Sequence, residues 1–115
     1  MKDYKGKLQY KDKTYSLVFD LNVMEAIQEE YGTLEKWGEL TDGKGGEVNA
    51  KAIIFGFTEM INEGIDIDNE ENGTNDKFLT RKQVGRMITE IGFDGSTEIL
   101  NDTVINSTKS DEKNA

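Results

Sequence analysis

Thr14-Tyr15-Ser16-Leu17-Val18-Phe19-Asp20-Leu21-Asn22-Val23-Met24-Glu25-Ala26-Ile27-Gln28-Glu29-Glu30-Tyr31-Gly32 changes its periodicity once, and that change sets the fold class. Up to Phe19 the large apolar residues Tyr15, Leu17 and Phe19 alternate with period two, as on a half-buried strand. From Val23 the apolar positions are Val23, Met24, Ile27 and Tyr31, a helical spacing, while Gln28, Glu29 and Glu30 face elsewhere. Asn22 with Glu25 three residues on resembles a capping box, and Gly32 stands where a helix closes. A strand therefore runs into a helix over about Val23 to Tyr31.

Working backwards, Tyr4 to Tyr10 is a second strand-like run, separated from Thr14 by the short polar Lys11-Asp12-Lys13. The pattern predicts a β-hairpin whose core face carries Leu8, Tyr10, Tyr15, Leu17 and Phe19. Working forwards, Thr33 caps a short helical piece with Leu34, Trp37 and Leu40, ended by a flexible loop at Thr41-Asp42-Gly43-Lys44-Gly45-Gly46. Asn49 caps a central helix with a wide apolar stripe (Ala50, Ile53, Ile54, Phe57, Met60, Ile61) before Asn62-Glu63-Gly64. Thr80 and Gln83 form a capping box ahead of Val84, Met87, Ile88 and Ile91, closed by Gly92. Ile99, Leu100, Val104 and Ile105 mark a last, weaker helix.

The expected architecture is α+β, an N-terminal β-hairpin packed against a bundle of about four helices. It forms one domain over 1–106, with a mobile acidic loop at 65–78 and a disordered C-terminal tail at 107–115. The loop expectation rests on Asp66, Asp68, Asn69, Glu70, Glu71, Asn72, Gly73, Asn75 and Asp76, a self-repelling and turn-rich composition.

Composition narrows the function. With 14 Lys+Arg against 23 Asp+Glu, the net charge of -9 repels phosphate backbones, so no direct nucleic-acid binding is expected. Cysteine and histidine are absent, which removes a disulfide framework, thiolate and imidazole metal ligands, and the commonest general base. Ser16, Ser96, Ser107 and Ser110 thus have no histidine to activate them, and neighbouring carboxylates such as Glu29 and Glu30 do not face one site. The reading is a non-enzymatic binding protein with no cofactor and no metal. An EF-hand register places Asp68, Glu70, Asn72 and Gly73 at positions one, three, five and six, but Leu79 occupies position twelve, where a carboxylate is needed. Gly43-Lys44-Gly45-Gly46 lacks the spacing of a phosphate loop. No apolar run reaches the length of a membrane span, and no signal-peptide core follows Met1, so a cytoplasmic location is expected. Trp37, Phe57 and Met60 are candidate protein-interface residues by side-chain type, with core packing as the plainer role for each.

The order of these features resembles the tail assembly chaperones of long-tailed bacteriophages, of the gene-transfer-agent type. There, a hairpin ending in a Phe-Asp-x-Asn stretch runs into a glycine-closed helix, as Phe19-Asp20-Leu21-Asn22 runs into Met24 to Gly32 here. The later portion is also similar: the apolar helix from Ala50 to Ile61, then Leu79-Thr80-x-x-Gln83-Val84-Gly85-x-Met87-Ile88, then an amphipathic helix and a polar tail. The likeness extends from Leu8 to Ile105, and Asp66 to Lys77 departs from it as an insertion. It implies a host-cytoplasmic protein that coats the tape measure protein, recruits tail tube subunits, self-associates and is absent from the finished virion; it carries over no contact residue. A rival expectation is an acidic module, a DNA-mimic decoy for a basic host protein, which needs its carboxylates held in an ordered array.

Overall fold

A computed structural model describes residues 5–42, 47 and 49–113. Strand β1 (Lys5–Tyr10) pairs antiparallel with β2 (Lys13–Val18), Leu8 opposite Tyr15 and Tyr10 opposite Lys13. The turn is the two residues Lys11 and Asp12, and Lys11 has φ +56°, the sign that mirror-image hairpin turns require at their first central position. Five helices follow among the described residues: α1 (Leu21–Tyr31), α2 (Leu34–Thr41), α3 (Ala50–Asn72), α4 (Arg81–Ile91) and α5 (Phe93–Lys113). This is the expected α+β hairpin-and-bundle class, with the short piece after Thr33 as a full helix of its own.

Helix α3 is the axis of the molecule, and β2, α1, α2, α4 and α5 all pack on it. Ala52, Ile53, Phe57, Met60 and Ile61 have essentially no exposed surface, and from the hairpin Leu8, Leu17 and Phe19 close the same core. Tyr10 and Tyr15 lie half-buried at its margin, and the Tyr10 hydroxyl donates to Glu90 of α4. Val18, on the opposite face of β2, is buried too. At Gly64 the α3 backbone meets that strand so closely that a Cβ there would stand 2.6 Å from the Ser16 carbonyl oxygen. On β1, Gly6 leaves room for Thr103 of α5. Across α1 and α3, Tyr31 meets Phe55 edge to face at 5.6 Å, with the Arg81 guanidinium 5.1 Å from the Phe55 ring centre.

The capping expectations hold at Thr33, Asn49 and Thr80, where each side chain accepts from the backbone N–H three residues on. Thr80 and Gln83 form the reciprocal box. At α1 the cap is Asp20, accepting from the Val23 N–H at 3.2 Å. Asn22 is instead inside the first turn and donates to Glu63 of α3 at 2.9 Å. The glycine-rich stretch 43–46 lies outside the described residues; beside it, the Asn49 N–H donates to the Leu40 carbonyl at 3.0 Å and holds the ends of α2 and α3 together.

Two segment expectations are corrected. The stretch 65–78 is not a free loop: α3 continues through it to Asn72 and closes at Gly73, whose φ of +65° is left-handed. The remaining connector is laced back onto the helix. The Asn69 side chain accepts from the Asp76 N–H and donates to its carbonyl, while Asn62 does the same for Leu79 at 2.9 and 3.0 Å. At the C-terminus the backbone stays helical through 107–113, because no proline or glycine follows Gly95 to stop it; Asn114 and Ala115 lie outside the described residues.

Replacing Asn62 with Ala removes both bonds to Leu79 and is expected to destabilise by about 1–2 kcal/mol. Hydrogen exchange at the Leu79 amide should accelerate, and unchanged protection there would refute the pinning.

Candidate functional site

The three interface candidates lie inside the fold. Phe57 and Met60 have no exposed surface, so the α3 stripe is used up within the chain, which corrects the expectation that they meet a partner. Trp37 is 3% exposed, and its indole N–H donates to the Ala52 carbonyl at 3.0 Å. Trp37 also lines a surface groove, the one part of that expectation that touches a concave surface.

That groove lies between α2 and α5, with Phe19 at its inner end, and has a volume of about 510 Å³. Its apolar wall comes from Leu34 and Trp37 of α2 and from Val104 and Ile105 of α5; Gly38 opens the α2 side, and Ile105 is 53% exposed. The volume is within the range of small ligand pockets. The local reasons are simple. Leu34 and Gly38 are one turn apart on α2, so both face α5. On α5, Leu100 and Thr103 turn inward to the core, which leaves Val104 and Ile105 on the flank towards α2.

A second hollow of about 420 Å³ shares Asp42 and Asn101 with the groove and continues it along α5 towards Phe93. Asp94, Glu98 and Asp102 line it, and every charged residue lining either hollow is acidic. Asp94 is in the first turn of α5, where the helix dipole favours a negative charge. Glu98 and Asp102, one and two turns further along, are outside the reach of that effect. The arrangement is a trough, apolar at one end and acidic at the other.

No family model, curated protein or solved structure matches this chain.

A third hollow, of about 280 Å³, is polar and lined by Asn22, Glu59, Asn62, Glu63 and Asp66, with Phe78 at its edge. Here Glu63 is pushed above its ordinary pKa, first by a side-chain hydrogen bond with Asp20, then by burial, against the lowering effect of Asn22. Asp68, Glu70 and Asn72, the residues of the EF-hand register, are on the helical part of α3, whereas a calcium loop needs a sharp turn at that point. No group of three or more acidic side chains suited to a metal ion occurs among the described residues, and no helix among them is long and apolar enough to cross a membrane.

Sequence reasoning found Trp37 but not its neighbours in the groove. The available signal was the adjacent pair Val104 and Ile105 on a helix whose core duties are met by Leu100 and Thr103.

The raised Glu63 value has a defined pH consequence. The favourable contribution of its protonated form is complete below the ordinary glutamate value of 4.5 and is lost as pH rises through the higher folded value. Glu63→Gln keeps one donor and one acceptor in place and cannot ionise, so it should raise the melting temperature at pH 7 by a small margin that shrinks to nothing at pH 4. An equal gain at both pH values would contradict the upward shift at Glu63.

Proposed function

We propose that this chain is a non-enzymatic tail assembly chaperone: it coats a tape measure protein, recruits tail tube subunits during virion assembly in the host cytoplasm, and leaves before the virion is complete. The observation that carries the reading is the α2/α5 groove, an apolar cleft open on the surface of a small acidic protein. Long helical proteins expose apolar stripes that aggregate unless they are covered, and a cleft of this kind accepts the side chains of one helix face. The net charge of -9 keeps the coated complex soluble. Self-association belongs to the same reading, and it has to use a surface other than the acidic end of the trough, where two copies repel each other.

One observation favours the decoy as a second reading. Glu59, Glu63, Asp66 and Glu70 follow each other at helical spacing along one side of α3, so part of the acidic run is held on an ordered helix.

Size-exclusion chromatography with light scattering, on the chain with a tape measure fragment and with a tail tube subunit from the same genome, separates the two. Co-elution with either is the expected result. A chain that ignores both, yet binds a basic DNA-binding protein in a salt-sensitive way that duplex DNA reverses, overturns the chaperone reading in favour of the decoy.

A further inference from the structure

We infer that the trough between α2 and α5 is a docking site for a basic amphipathic helix, a partner with an apolar stripe flanked by Lys or Arg. This rests on the protein-binding reading above and names the chemistry of the partner at that site. The apolar end is formed by Phe19, Leu34, Trp37, Val104 and Ile105. A binding helix sets its i, i+3, i+4 and i+7 side chains into such a wall. At Asp42 and Asn101 it adjoins the second hollow, lined by Asp94, Glu98 and Asp102.

Charge complementarity selects the occupant. A helix with acidic flanks meets like charge along that second half, and a second copy of this chain carries -9 of its own. A helix with Lys or Arg beside its apolar stripe places those groups over the carboxylates, where long aliphatic stems also cover exposed apolar surface such as Phe93, 43% exposed. Apolar contact sets the depth of docking, and the acidic half sets its direction and register.

Gly38 supplies the decisive variant. It lines the groove, and a Cβ built on it meets nothing within 4 Å, so a larger side chain enters the cleft and not the core. Gly38→Leu also replaces a poor helix former with a good one inside α2, which favours the fold while filling the site. Glu98→Lys with Asp102→Lys, at two exposed positions, offsets the remaining Asp42 and Asp94 and so neutralises the acidic half without touching the cleft.

The test titrates the full chain with a synthetic helix of about 18 residues, Leu on one stripe and Lys elsewhere, and with a Leu/Glu helix of the same pattern. Trp37, the sole tryptophan, reports from the groove wall. The expected result is saturable binding of the Leu/Lys helix with a change in Trp37 emission, weakened about tenfold or more by Gly38→Leu. The double charge substitution should weaken it similarly and reduce its salt dependence. Absence of binding, equal binding of the Leu/Glu helix, or binding unchanged by both variants overturns the proposal.

The two readings fail separately. If a tape measure fragment co-elutes equally well with wild type and both variants, the groove proposal falls and the chaperone reading stands. If wild type ignores that fragment but binds the Leu/Lys helix through the trough, the groove proposal stands and the chaperone reading falls.

Discussion

The fit of Trp37 into the notch at Gly56 is the contact on which the working surface depends. A Cβ at Gly56 would lie 2.5 Å from the Trp37 ring, so only glycine lets α2 come this close to α3. The indole N–H then finds the Ala52 carbonyl, one turn before the notch, and a large side chain is buried with its polar atom satisfied. Held there, α2 presents Leu34 and Gly38 towards α5, and the groove exists because α2 cannot slide. The seating of α5 on β1 at Gly6 fixes the opposite wall. Two glycines with no turn to make thus decide the width of the cleft.

Much of the fold was legible because its signals are local. The period change at Phe19 to Val23, the caps at Thr33, Asn49 and Thr80, and the closures at Gly32 and Gly92 depend on residues a few positions apart. The errors came where glycine has two meanings. Gly64 reads as a helix stop, yet it is a mid-helix notch for the backbone of β2, and α3 continues for two more turns. The acidic run after it looked mobile because the two asparagines that pin its connector, Asn62 and Asn69, are seven residues apart. Their roles appear only when the chain folds back on the helix. The cap at α1 was misplaced by two residues for a similar reason: Asn22 has the chemistry of a cap but is occupied by a tertiary bond to Glu63.

The candidate site was less legible than the fold. Trp37, Phe57 and Met60 were singled out by side-chain type, and the core took the last two entirely. A groove between elements some sixty residues apart in sequence has no local signature. Its acidic half is spread over α5 at helical spacing among asparagines and threonines, where each carboxylate alone reads as a solvated surface charge. Only the packing order, with α2 set on α3 and α5 on β1 and α3, brings these scattered residues together.

The most direct test of this account is Gly56→Ala, followed by urea unfolding with Trp37 fluorescence as the probe. Overpacking at a site this tight should lower stability by about 1–3 kcal/mol and shift the native emission of Trp37 as its ring is displaced from Ala52. Unchanged stability and unchanged emission would mean that the notch does not hold α2, and the groove would lose its structural basis.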